Sequence, residues 1–121
     1  RADANKIVWV LTHLVSNALR YVGKGGHIQL TALRIGRQVH LSVRDDGPGI
    51  PEEYQSRIFQ KFVQVKGREA GGTGLGLAIC RGFVEAMHGT IQAANRTDRS
   101  GAVMTIKLPI PAASNALDTA A

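Results

Sequence analysis

Apolar residues recur at steps of three and four near the start of the chain. Ile7, Val10, Leu11, Leu14 and Ala18 fall on one side of a helix predicted from Asp3, a capping residue, to about Tyr21. His13, Asn17 and Arg20 form a second, polar stripe at the same steps on another side. Beyond a turn at Val22–Gly26 the period drops to two. Ile28, Leu30 and Ala32 alternate within His27–Arg34, and Val39, Leu41 and Val43 alternate within Gln38–Arg44. These segments predict an antiparallel hairpin about Gly36 with one face on the core. Pro51-Glu52-Glu53 is a sound helix start and predicts a short helix to about Gln60. Gln64–Thr73 has little apolar content and reads as a mobile loop. A helix is predicted from about Leu75 to Met87, with Leu77, Ile79, Cys80, Phe83, Val84 and Met87 on its apolar face and Gly89 ending it. Thr90–Arg96 and Ala102–Pro109 predict a second hairpin, in whose last strand Met104, Ile106 and Leu108 share a face. Ala112–Ala121 is small, polar and aperiodic, and a disordered tail is expected there.

Composition adds few constraints. A length of 121 residues with 44% hydrophobic content suits one globular domain with a single core. No apolar run approaches the ~18 residues of a membrane span. The lone cysteine, Cys80, sits in the second helix, fits a reducing compartment and reads as a small buried hydrophobe. The net charge is +6, yet Lys24, Arg34, Arg37, Arg44, Lys61, Lys66, Arg68, Arg81, Arg96 and Arg99 are scattered, with no dense run and no aromatic platform. The excess therefore suits an anionic nucleotide or an acidic partner better than nucleic acid, and no nucleic-acid partner is expected.

Candidate chemistry begins at Gly71–Ala78, where Gly72, Gly74 and Gly76 alternate and run into the apolar helix. Glycines let a ligand reach backbone N–H groups, and a helix start adds unpaired donors and a positive dipole end, which together suit phosphate. Tight helix–sheet packing produces similar glycines. The stretch lacks the Gly-Lys-Ser/Thr of a P-loop and the setting of a dinucleotide-binding turn. Asp45-Asp46-Gly47-Pro48-Gly49-Ile50 closes a strand, and its Asp-Gly and Pro-Gly pairs are also ordinary turn formers.

Four stretches in order carry more than any one. Asn17-Ala18-Leu19-Arg20-Tyr21, Asp45–Ile50, Arg57-Ile58-Phe59-Gln60-Lys61-Phe62 and Gly71–Ala78 closely resemble the N, G1, F and G2 boxes of the sensor histidine kinase catalytic domain. That family shares its ATP-binding fold with gyrase, Hsp90 and MutL, and the resemblance runs from Asp3 to Pro109. It implies an α+β, two-layer α/β sandwich of the Bergerat type: a mixed, mostly antiparallel sheet covered on one face by about three helices. The domain would occupy residues 1–111, and family members commonly begin with a further strand before the position of Asp3. The sheet is therefore expected to lack that edge or to borrow it from another copy.

The resemblance also assigns roles. Asp45 would accept from the adenine amine, Gly47 and Gly49 would let the base approach, and Ile50 would contact the nucleotide; Asp46 stands where the family often has Asn. Asn17 would contact Mg²⁺, Arg20 (commonly Lys) the phosphates, and Tyr21 would line the nucleotide. Lys66 and Arg68 become candidates for the γ-phosphate, with Gln64 where many members carry Arg. Gly72, Thr73, Gly74, Leu75, Gly76 and Leu77 would cradle the phosphates, and Phe59 and Phe62 would anchor the loop. His13 occupies a position held by Asn in many relatives and by a catalytic Glu in the gyrase and Hsp90 branch. Imidazole, with an ordinary pKa near ~6.5, suits either contact with the nucleophile or a stand-in for Asn.

The activity implied is transfer of the γ-phosphoryl of Mg·ATP to a histidine. That histidine lies on a separate dimerisation/phosphoacceptor domain, because no acceptor box occurs in these residues. A response regulator would act downstream, within a homodimeric, membrane-associated kinase whose catalytic part is cytoplasmic. An ATP-driven clamp of the gyrase or Hsp90 kind, or a non-catalytic nucleotide-sensing module, remains the alternative.

Overall fold

The computed structural model describes residues 4–22, 25–61, 63 and 75–110. Helix α1 spans Ala4–Tyr21, followed by strands β1 (Ile28–Ile35) and β2 (Gln38–Asp45). A 3-10 turn at Glu52–Tyr54 precedes helix α2 (Gly76–Ala86), and strands β3 (Thr90–Asn95) and β4 (Ala102–Pro109) complete the order. The strands form one sheet in the order β1-β2-β4-β3, and every pairing is antiparallel.

One face of the sheet is covered and the other is open. Val39, Leu41 and Val43 stand opposite Leu108, Ile106 and Met104 across β2 and β4. Directly paired residues share a face, so these side chains form one apolar floor. Along β4 burial alternates strictly, with Ala102, Met104, Ile106 and Leu108 inside. The apolar stripe of α1 closes on this floor through Val10, Leu14 and Ala18, and α2 closes on it through Cys80 and Val84. Fully burying a Leu or Val side chain contributes about 1.5–3 kcal/mol, so this single cluster holds both helices down. The opposite face carries polar pairs, such as Ser42 Oγ at 3.3 Å from Thr105 Oγ1. No described helix is long and apolar enough to cross a membrane.

The first hairpin forms where the alternation places it. Ile35 pairs with Gln38 across the two-residue link Gly36-Arg37. Gly36 has φ 60, the left-handed sign that a type II′ turn needs at its first central position. Its inner row departs from expectation, because Leu30 is 52% exposed and Ala32 is also exposed. Leu30 pairs with Val43 and shares its face, but β1 is the edge strand and the helices lie over its neighbours. Alternation reports a shared face, not whether anything covers it.

Two further expectations change. The segment after Pro51 makes one 3-10 turn and then irregular turns, with Arg57 N–H donating to Tyr54 O at 2.9 Å and Gln60 N–H to Arg57 O at 2.9 Å. So short a segment gains too few helical bonds to offset nucleation, and burial of Ile58 and Phe59 shapes it instead. Helix α2 ends at Ala86 in a Schellman motif, with Gly89 N–H donating to Val84 O and His88 N–H to Glu85 O, both at 3.0 Å. The left-handed residue is His88, at φ 63, and not the glycine. Gly89 is needed for space, since a Cβ there would press on Lys107 O and the Leu108 side chain. The expected helix cap Asp3, the loop at 64–73, Phe62 and the tail at 112–121 lie outside the described residues.

Candidate functional site

Between α1, the helix-facing side of β2 and β4, and the start of α2 lies a cavity of about 350 Å³, within the range of small-molecule sites. Its floor is apolar and includes Leu14, Ala18, Val43, Ile58 and Met104. One wall is the polar stripe of α1, since Trp9, His13, Asn17 and Arg20 all line it, with Tyr21 at its end. A second wall is Asp45 with Pro48, Gly49 and Ile50, and the start of α2 supplies Leu75, Gly76, Leu77 and Ile79.

Asp45 is the buried polar residue on that floor, and two backbone groups fix it. Its Oδ1 accepts from Gly47 N–H at 2.9 Å and from Ala102 N–H at 3.2 Å. Both described side-chain hydrogen bonds of Asp45 fall on Oδ1, none falls on Oδ2, and Asp45 lines the cavity. A fixed acceptor beside an apolar slot suits an exocyclic amine on a flat base. Gly47 does not line the cavity. It sits behind Asp45, where a Cβ would lie 3.0 Å from Tyr21 O, so a side chain would push the turn away from α1. Asp46 points elsewhere: its Oδ1 accepts from His27 N–H at 2.8 Å, and Arg99 stands 3.9 Å from Oδ2. His27's hydrogen bonds hold its carboxyl below the usual range and tie the start of β1 to the end of β2.

His13 is held on both sides. Its ring stacks on Trp9 with centroids 5.0 Å apart and planes 8° apart, and Trp9 meets Phe83 edge-on. A Cβ on Gly76 would overlap the imidazole, so this glycine lets α2 begin against the ring. Burial, then the positive charge of Arg20, lowers the pKa of His13, which keeps the imidazole neutral at neutral pH. Among the described residues the start of α2 has no side-chain cap hydrogen bond. Cys80 is fully buried and its thiol is pushed up to about 12 by that burial, which makes it inert packing, as expected.

Of the sequence candidates, His13, Asn17, Arg20, Tyr21, Asp45, Gly49, Ile50, Leu75, Gly76 and Leu77 meet around this one cavity. Lys66, Arg68, Gly72, Thr73 and Gly74 lie outside the described residues. Trp9 is an addition to these candidates, and its place four residues before His13 on the same stripe is the signal that could have found it. Asn95 is a second addition, and nothing local marks it. Its Nδ2 donates to Ile50 O at 2.9 Å and its Oδ1 accepts from Ile50 N–H at 2.6 Å, across 45 positions of chain.

Among the described residues no three of His, Cys, Asp or Glu gather into a metal cage. One amide oxygen, that of Asn17, belongs to the cavity lining beside the cationic Arg20. That donor set suits Mg²⁺ carried in with phosphate oxygens and water, and not a metal bound by protein alone.

Comparison with known proteins places this arrangement. The profile described as "Histidine kinase-, DNA gyrase B-, and HSP90-like ATPase" matches residues 2–112. The chain belongs to this ATPase family. Within it, the domain is 43% identical over 108 residues to the alginate biosynthesis sensor protein KinB of Pseudomonas aeruginosa, covering 89% of this chain and 18% of that protein. It is 35% identical over 111 residues to the signal transduction histidine-protein kinase BaeS of Escherichia coli, covering 89% and 24%. Among solved structures, the ATPase domain resembles the catalytic domain of histidine kinase ThkA with a TM-score of 0.78 at 39% identity, covering 89% of this chain and 68% of that one. A mycobacterial sensor histidine kinase, MprB, gives a TM-score of 0.82 at 26% identity, covering 89% and 74%. The expected α+β fold is thus that of histidine kinase catalytic domains. The chain spans between 18% and 24% of the length of the two curated relatives named.

Proposed function

We propose that this domain binds Mg·ATP in the cavity beneath α1 and donates the γ-phosphoryl group to a histidine on a separate dimerisation domain. The observation that carries the reading is Asp45: it lines the cavity, one carboxylate oxygen is pinned by two backbone amides, and no described hydrogen bond falls on the other. In this reading Oδ2 accepts from the adenine amine, and Gly49 and Ile50 keep backbone close to the ring. The triphosphate extends along the polar stripe of α1 toward the start of α2. Bound Mg²⁺ would neutralise charge on the phosphate oxygens, with Asn17 supplying one ligand. Arg20 adds a cationic contact, and the N-terminus of α2 offers backbone donors and a positive dipole end.

The reaction forms a bond from an acceptor imidazole nitrogen to the γ-phosphorus and breaks the bond to the β–γ bridging oxygen, releasing ADP. Protein groups mainly position the reactants and neutralise charge. His13 is neutral and wedged between Trp9 and Gly76. It serves to set where the phosphate-facing helix begins, in the place that Asn takes in many relatives. A histidine kinase of this fold, ThkA, has been captured in complex with the response regulator protein TrrA, which supports a response regulator as the later acceptor. Labelled ATP, the chain and a separately supplied phosphoacceptor domain test the reading. Acid-labile, base-stable label on the acceptor is expected, and label on neither protein would overturn the transfer.

A further inference from the structure

The turn from Asp46 to Ile50 has no regular secondary structure of its own, yet it must hold Asp45, at the end of β2, at a fixed depth beside the cavity. Most of its fastenings come from the far end of the β3–β4 hairpin, beside His27 on Asp46 and Gln55 Nε2, which also donates to Ile50 O at 3.1 Å. Ser100 Oγ donates to Gly47 O at 2.8 Å. Ala102 N–H donates to Asp45 Oδ1 at 3.2 Å, and Arg96 Nη1 reaches Asp45 O at 3.4 Å. Asn95 makes two bonds at once, taking Ile50 N–H on Oδ1 and giving Nδ2 to Ile50 O. A side-chain amide that pairs both backbone groups of one residue acts as a short strand partner. Gly49, at φ 82, leaves room for it, because a Cβ there would lie 2.7 Å from Asn95 Oδ1.

We propose that Asn95 is the positioning residue of the purine site: it clamps Ile50 so that the base slot keeps its width and Asp45 keeps its reach. Asn95 does not line the cavity, and Ile50, which it holds, does. Its contribution is therefore confined to the base end of the ligand. The phosphate end is built by α1 and the start of α2, which Asn95 does not touch through any described hydrogen bond. Ser at this position is one atom shorter and holds at most one of the two bonds, and Ala holds neither.

This inference rests on the nucleotide reading of the cavity, and its test separates the two. Calorimetry compares Mg·AMP-PNP with magnesium triphosphate, which lacks the base, on the unsubstituted chain, Asn95→Ser and Asn95→Ala. Mg·AMP-PNP affinity is expected to fall about threefold in Asn95→Ser and at least about tenfold in Asn95→Ala, in line with one and two lost hydrogen bonds. Triphosphate affinity is expected to stay constant across the series. A melting scan of each variant without ligand checks that the chain is folded at the titration temperature. Equal losses for both ligands would show a general structural role and overturn the proposal, as would unchanged Mg·AMP-PNP affinity. Failure of the unsubstituted chain to bind Mg·AMP-PNP would instead refute the nucleotide reading, and the proposal with it.

Discussion

Asp45→Asn separates the two jobs given to one carboxylate. Gly47 N–H and Ala102 N–H both point at Oδ1, so the introduced amide must put its carbonyl in that place and its NH₂ toward the cavity. Both backbone bonds survive as neutral ones. The exchange of charged for neutral acceptor costs about 1 kcal/mol, partly offset by easier burial of a neutral group. The ligand meets the opposite chemistry, because an adenine amine now confronts a donor. Losing a charge-assisted bond and leaving two donors unpaired costs about 3 kcal/mol, or roughly a hundredfold in affinity. Asp45→Ala instead strands both backbone donors and should lose about 2–4 kcal/mol of stability. Thermal melts and Mg·AMP-PNP calorimetry on the three proteins read both quantities. The reasoning is refuted if the Asp45→Asn variant binds nucleotide within about threefold of the original, or if it destabilises the fold as much as Asp45→Ala does.

Three further outcomes follow from the geometry. Gly76→Ala should overlap the His13 ring and weaken nucleotide binding by about tenfold or cost about 1–3 kcal/mol of stability, and His13→Ala in the same chain should restore part of either loss. His88→Gly should raise the melting temperature, gaining about 0.5–1 kcal/mol, because a glycine takes the left-handed cap at φ 63 without Cβ strain; an unchanged melt would show that the cap carries no strain. His13 has a lowered pKa in the folded chain, so the unfolded chain takes up its proton first as pH falls. Its contribution to stability is then complete above the unfolded value of ~6.5 and declines below it, and His13→Asn should flatten that part of a melting-versus-pH curve.

Much of this fold is local in origin and therefore legible along the chain. The apolar stripe of α1 reaches the core at Val10, Leu14 and Ala18, and its polar stripe lines the cavity at His13 and Asn17, because a helix repeats one geometry. Asp45 ends its strand where the alternation placed it. What escaped depends on contacts between distant residues. The exposure of Leu30 follows from strand order and not from its own alternation. His88, and not the neighbouring glycine, takes the left-handed cap because Gly89 is needed where α2 passes β4. The tie between Asn95 and Ile50 joins the end of β3 to a turn that no short-range pattern relates to it. The residues from 51 to 60 carry helix-starting chemistry, and burial of Ile58 and Phe59 overrides it.

The most direct measurement is a map of backbone and side-chain NMR shifts as Mg·AMP-PNP is added. The expected result is perturbation at the Asn17 side-chain amide, the Trp9 indole and the Gly47, Ile50 and Gly76 amides, with Thr31, Ser42 and Thr105 on the open sheet face unchanged. Shifts confined to that open face, or none at all at saturating nucleotide, would contradict a nucleotide site beneath α1.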